Sequence, residues 1–437
     1  MNISFFRKIC CLSAFLLTLA SVALAYDRTL RIDYIFSGTA DTQEISLDEL
    51  SCFDGWYGRC KNLDTLALKG NGQISMRSAQ TGQILYIQSF STLFQEWQTT
   101  EEATLTRRSF ENVFLLPMPQ EKVVVRVELY SFKGGVSAFF EHAVDPSDIL
   151  IRHLPVRDDV PSRYIHKSGS SRDCIDVAIV AEGYTAGEAE LFYEDAAVAA
   201  REILSYEPFR SLSDRFNFIA VALPSAQSGV SVPLEGDWKD TALSSHFSTF
   251  YSDRYLTTLR LRTLHDYLAG LPYEHIIILA NTDTYGGGGI YNSYTLTTAH
   301  HPAFKPVVVH EFGHSFAGLA DEYFYDDQYS PYYFPQVEPW EQNITTLRDF
   351  PSKWLGMLPK GTSVPSDIAP CPAEEMWKRI EAGESAAKFI GVYEGAGYMS
   401  KGAYRPYPDC RMHTNLAPVF CPVCQEAIRR VIDFQTL

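Results

Sequence analysis

Two histidines four residues apart with a glutamate beside the first, His310-Glu311-Phe312-Gly313-His314, have the make-up of a metal site that works on water. Successive residues of a helix turn by about 100° and rise by about 1.5 Å, so both imidazoles leave one face, a turn apart, and reach a single ion. Glu311 then flanks the ion without binding it, placed to take a proton from the water that the ion acidifies. Hydrolytic zinc sites take three protein ligands and keep a fourth position open. Asp321 follows His314 in the chain, with Glu322 beside it. In an unbroken helix Asp321 would stand roughly 10 Å up the axis from His314, too far for a bond of about 2 Å, so the chain has to turn back. Gly318 supplies the residue for that turn, because glycine enters the left-handed region cheaply. Asp321 is therefore the expected third ligand, and Glu322 is its rival.

A helix must carry the motif. Pro306 falls where a first-turn proline is tolerated, and Val307, Val308 and Val309 are apolar all round. Valine is poor helix sequence by propensity, so burial has to hold this helix. Residues 175–181, 216–223 and 275–280 read as apolar strands, separated by helical stretches around 188–204 and 254–268. That order implies a mixed sheet with parallel pairing. The glycine run at 286–289 lacks the Lys and Ser or Thr of a phosphate cradle. It reads instead as the turn into an edge strand at 290–297 lying over the metal helix. There Gly287, Gly288 and Gly289 would let a substrate backbone approach and pair.

Ahead of residue 160 the segments 29–36, 84–90, 113–116 and 125–129 alternate as strands do, with turn residues between them, which suggests a β-sandwich over 26–160. The polar stretch 156–172, with Pro161 and Gly169, reads as the linker, and residues 161–437 form the domain with the chemistry. A chain of 437 residues that is 46% apolar can fill two cores. Residues 1–25 have the pattern of a signal peptide: Arg7 and Lys8, an apolar stretch at 12–19, then Ala23-Leu24-Ala25. The stretch is too short for a span, and Cys10 and Cys11 precede it, so no lipoprotein box forms. The expectation is export to the periplasm, the cell surface or the medium, without stable membrane insertion. With 37 basic against 53 acidic residues the net charge is −16, which argues against nucleic acid and anionic membranes as partners. Seven cysteines follow the leader; Cys52 with Cys60 and Cys410 with Cys421 or Cys424 are the expected bridges, and the odd count leaves at least one thiol unpaired. Cys421-Pro422-Val423-Cys424 has no second CxxC to complete a zinc ribbon, so it reads as structural.

The run from His310 to Tyr323 resembles the signature of the bacterial IgA-peptidase family of zinc metallopeptidases. Other segments are similar in the same order: Glu182-Gly183-Tyr184-Thr185, Tyr285 with the glycines after it, Lys353-Trp354, Glu394-Gly395-Ala396-Gly397-Tyr398, Tyr404-Arg405-Pro406, Cys410-Arg411-Met412 and Phe420-Cys421-Pro422-Val423-Cys424. The resemblance spans about residues 172–433 and implies a secreted zinc endopeptidase, with a smaller domain ahead of the catalytic one. Some members cleave immunoglobulin A, which places such host glycoproteins among the candidate substrates. The order of two histidines, glycine turn and third ligand is also similar to that of the metzincin peptidases. Their glycine and third ligand come one residue earlier, where this chain has Ala317 and Ala320. The implied fold is an α+β metzincin-like domain with a mixed sheet and an active-site helix, and Met412 would form the turn beneath the metal. His413, next to it, is then not a ligand. Thr414 stands where metzincins carry a tyrosine, so Tyr398, Tyr404 and Arg405 become the candidates for stabilising an oxyanion. The aromatic run at 323–340 is suited to lining a cleft or capping the core, and Asn343-Ile344-Thr345 has the pattern of a glycosylation sequon. The reading is a single Zn²⁺ held by His310, His314 and Asp321, with Glu311 as base, acting on protein or peptide. Its alternatives are a binding protein on a degenerate peptidase fold and a hydrolase of a non-peptide amide.

Overall fold

The computed structural model describes residues 27–155, 157, 159–325 and 333–437. The signal-peptide pattern and the middle of the aromatic run lie outside the described residues. In the first half, alternate burial builds eight strands: β1 (Arg28–Gly38), β2 (Gln43–Asp54), β3 (Gly72–Ser78), β4 (Ile84–Phe90), β5 (Arg108–Pro117), β6 (Val123–Tyr130), β7 (Val136–Val144) and β8 (Arg152–His153). In β6 every second residue is buried, the mark of a sheet with one face on a core. Two short helices, α1 (Leu93–Trp97) and α2 (Glu101–Leu105), stand between β4 and β5, each started by a threonine, Thr92 or Thr100, whose side chain accepts a backbone N–H. The strands form two four-stranded sheets, β5-β1-β2-β8 and β4-β3-β6-β7. β2, β3 and β7 were not legible as strands, because β2 and β7 carry mostly half-buried or exposed residues and little apolar alternation.

The second half runs β9 (Ser162–Lys167), β10 (Ile175–Glu182), α3 (Ala189–Ile203), β11 (Phe216–Val221), α4 (Leu261–Leu268), β12 (His275–Ala280), β13 (Gly287–Ile290), β14 (Tyr294–Thr298), α5 (Phe304–Ala317), β15 (Phe324–Tyr325), α6 (Ala373–Glu381), β16 (Tyr393–Ala396), β17 (Tyr398–Arg405) and α7 (Pro422–Thr436). Six strands make one mixed sheet in the order β13-β14-β12-β10-β11-β9. The inner pairs are parallel and the two outermost antiparallel. β10, β11 and β12 are buried at every position, as strands covered on both faces must be. The stretch expected as a linker contains β9, an edge of this sheet. Its polar side chains face solvent, which disguised it. The helix expected over 254–268 begins only at Leu261, because the chain before it pairs Thr257 with His246 and ties the Thr258 hydroxyl to the Leu243 carbonyl. Among the described residues no helix is long and apolar enough to cross a membrane.

One core lies between this sheet and α3, α5 and α7, taking Val177, Ile179 and Ala181 from β10. The alternate residues, Ala178 and Val180, enter a second core that contains Leu264 and Leu268 of α4 and also Leu30, Ile32, Phe90 and Val127 of the first half. The two halves thus share an apolar core. Arg31, fully buried, crosses the same junction: it bonds Asp33 at 2.8 Å and Asp266 of α4 at 2.6 Å. Burial also settles α5. Val307, Val308 and Val309 are almost completely buried. At about 1.5 kcal/mol or more each, that outweighs a helix-propensity penalty of at most about 0.7 kcal/mol each.

Candidate metal centre and cleft

Gly318 ends α5 in the left-handed region, at φ 56° and ψ 37°. The chain doubles back there, Leu319 N–H reaching the Gly313 carbonyl at 3.2 Å. Asp321 is carried onto the histidine pair by this turn. Its Oδ1 lies 3.0 Å from His310 Nε2 and 3.3 Å from His314 Nε2, and the two Nε2 atoms are 3.0 Å apart. The other ring nitrogens are occupied: His310 Nδ1 donates to the Arg411 carbonyl at 2.8 Å and His314 Nδ1 to the Leu319 carbonyl at 2.6 Å. Since a carbonyl only accepts, each Nδ1 carries a proton, and in neutral rings both Nε2 lone pairs face the same point as the carboxylate. Three acceptors that close repel one another unless a cation or added protons lie between them. Bonds of about 2.0–2.1 Å in a tetrahedron separate donors by roughly 3.3 Å, so the donor set fits a zinc-sized ion. Without a cation, protons take its place. Burial disfavours charge on His314, but Asp321 outweighs it and carries the ring up to about 9. Burial equally opposes the charge on Asp321, yet the two imidazoles hold its carboxyl below the usual range.

Glu311 stands beside this cluster and is not one of its converging donors. Burial pushes its carboxyl up, with His310 and His314 pulling the other way. Glu322, the rival ligand, faces away from the histidines, as the next residue of an extended chain does. It is fully buried and accepts from Asn343 at 3.0 Å and from the Cys424 thiol at 3.1 Å. Asn343 is no glycosylation acceptor here: completely buried, it clamps both backbone groups of Ala320 at 2.8 Å and leaves no room for a sugar. Met412 lies under the motif, its sulfur 2.9 Å from where a Cβ on Gly313 would stand. His413 is at the cleft wall with Nδ1 turned to Asp409 at 3.4 Å, outside the donor cluster.

The donors sit in a cleft of about 680 Å³. One wall is β13. Here the structure corrects the expected edge strand at 290–297: the glycines themselves are the edge, Ile290 pairs with Tyr294 across a turn with Asn292 at φ 51°, and β14 is the inner partner. A strand of glycines carries no side-chain pattern to reveal it. Its reason is contact, because a Cβ on Gly289 would stand 2.2 Å from the Glu311 carbonyl oxygen and 2.8 Å from His314 Cβ. Tyr323, Tyr325 and Tyr398 form a tyrosine wall of the cleft, so the described ends of the aromatic run line it. Tyr398 donates its hydroxyl to the second oxygen of Asp321. Tyr404 and Arg405, expected near the oxyanion, do not line the cleft. Tyr404 pairs with Thr345, and buried Arg405 donates to the carbonyls of Glu394 and Gly395.

Sequence reading missed Glu96, Arg254 and Tyr255, all cleft-lining. Glu96 reaches the cleft from α1 of the first half, where burial pushes it up to about 7 against the hydrogen bond from Tyr255. Arg254 donates to the Tyr325 hydroxyl at 3.0 Å. All seven described cysteines are free thiols, so neither expected bridge is formed. Cys52 is buried within β2, while Cys60 turns its thiol to the Gly58 carbonyl.

Such a floor and walls suit the hydrolysis of amide bonds in an extended chain, and family comparison gives the same class, a peptidase. The family model described as IgA Peptidase M64 matches residues 164–383 and 372–432, and that described as Peptidase M64 N-terminus matches residues 23–141. This chain belongs to the IgA peptidase M64 family. No individually curated protein matches it.

Proposed function

We propose that this protein is an exported, metzincin-like zinc endopeptidase in which His310, His314 and Asp321 hold the ion and Glu311 is the catalytic base. The observation that carries the proposal is the convergence of three acceptor atoms whose partner nitrogens are already tied to backbone carbonyls. When bound, zinc supplies Lewis acidity to the scissile carbonyl and to the attacking water. Glu311 takes the proton of that water and returns it to the leaving amine. Its carboxyl, raised by burial, is suited to giving the proton back. Tyr398 fixes the carboxylate plane of Asp321. The outer side of β13, the last strand of its sheet, supports backbone pairing with an extended peptide. Glycines at 287–289 offer that peptide no side chains, so selectivity rests on the tyrosine wall and on residues such as Glu96. Export rests on the leader pattern, and immunoglobulin A-like glycoproteins are candidate substrates through the family name alone. The test is digestion of an unbiased peptide library by the full chain beside Glu311→Gln, with zinc content measured on both. Retained zinc with turnover lowered about 10²-fold or more supports the assignment. An emptied site in Glu311→Gln, or an unchanged rate, refutes it.

A further inference from the structure

Behind the cleft lies a second cluster with metal-binding chemistry. Cys410, Cys421, Cys424 and Glu322 are each fully buried, and one ligand atom from each lies within 4.8 Å of all the others. Cys410 and Cys424 hold their sulfurs 3.8 Å apart. Two sulfurs bound to one zinc at about 2.3 Å in a tetrahedron are separated by roughly 3.8 Å, whereas a disulfide requires about 2.05 Å. The Cys424 sulfur is 3.1 Å from Glu322 Oε1. Glu322 Oε2 is buried with no hydrogen-bond partner, an arrangement costly for a carboxylate unless a cation meets it. Backbone N–H groups point at the sulfurs as they do at thiolates: Cys421 N–H lies 3.1 Å from Cys410 Sγ, and Cys424 N–H 3.5 Å from Cys421 Sγ. Cys421 caps α7, so its sulfur also meets the positive end of that helix. A bridge between any two of these cysteines would strand the third thiol and the carboxylate in the core.

We propose that Cys410, Cys421, Cys424 and Glu322 bind a second zinc ion in a closed, four-coordinate structural site. On binding, the three thiols release their protons to solvent. Four protein ligands leave no open position for a substrate, which separates this ion from the one in the cleft. Its work is positional. Asp321 and Glu322 are adjacent, so fixing Glu322 fixes the loop that presents Asp321. Glu322 N–H also bonds the Met412 carbonyl at 2.8 Å, and the Arg411 carbonyl beside it holds His310. The ion would therefore lock three chain segments around the first site, and it stands or falls independently of the catalytic reading.

The test uses the full chain, recovered from an exporting host and analysed for metal. Wild type should hold two zinc ions, and His310→Ala/His314→Ala should hold one. Cobalt(II) replacing zinc should give an intense thiolate-to-cobalt charge-transfer band. That band should persist in the double histidine variant and vanish in Cys421→Ser/Cys424→Ser. The histidine variant leaves the cluster untouched, so misfolding of the cysteine variant cannot rescue the idea. A histidine variant that is folded but free of zinc and without the cobalt–thiolate band overturns the proposal. So does a disulfide among these three cysteines in non-reduced peptide maps of wild type.

Discussion

Gly289→Ala tests whether the edge strand and the metal helix are set against each other as closely as the structure shows. The added Cβ would stand 2.2 Å from the Glu311 carbonyl oxygen and 2.8 Å from His314 Cβ. Ordinary contact needs about 3.5 Å, so β13 and α5 have to separate by roughly 1 Å, and backbone supplies no flexible end to give way. Overpacking of this kind costs about 1–3 kcal/mol of stability. A displacement of about 1 Å at reacting groups costs about 10²-fold in rate. Gly356→Ala is the control, since a Cβ there meets nothing within 4 Å and the residue lies outside the cleft. Urea unfolding and cleavage of a fixed peptide read the two effects. Gly289→Ala with the midpoint and kcat/KM of wild type would refute the close approach, and with it the placement of the glycine strand in the cleft.

Tyr398→Phe removes a hydrogen bond to Asp321 and should weaken zinc retention about 10–100-fold against a competing chelator, with the fold intact by circular dichroism. Asp321→Ala should lose the ion in the cleft outright; full metal retention would remove it from the ligand set. Arg31→Ala takes the nearest cation from buried Asp33, leaving it only Arg262 at 4.0 Å, and should cost about 3 kcal/mol in urea unfolding. The fragment 172–437 should be insoluble or unfolded when expressed alone, because it exposes the face formed by Ala178, Val180 and Leu264; a folded, soluble fragment would contradict the shared core.

What could be read from the sequence was local. His310 and His314 are paired by helix geometry alone, and Gly318 announced the turn that delivers Asp321. The fully buried β10, β11 and β12 are short, mostly apolar runs, interrupted by few polar residues and too short for helices of the same burial. Glu96 and Arg254 were illegible because each reaches the cleft through packing between distant segments, and neither lies in a chemical motif. Tyr404 and Arg405 entered only through the resemblance and the missing metzincin tyrosine; the fold spends Tyr404 on pairing with Thr345 and Arg405 on the carbonyls of Glu394 and Gly395, away from the cleft. Glu322 was weighed only as a rival to Asp321, since Cys410 and the α7 cysteines are distant in sequence and the fold alone joins them.

The core that runs from the N-terminal sheets into the back of the catalytic sheet bears on how the enzyme meets a substrate. Opening the two halves like a jaw would bring Val180, Ile278 and Phe90 into water together, so that motion is closed to a folded chain. Substrate has to enter between walls already in place, and a compact protein must first offer a loose strand. Glu96 enters the cleft from a helix anchored by the fully buried Trp97, so the N-terminal half contributes a fixed part of the cleft wall. Heating should accordingly abolish cleavage and unfold both halves in a single cooperative step.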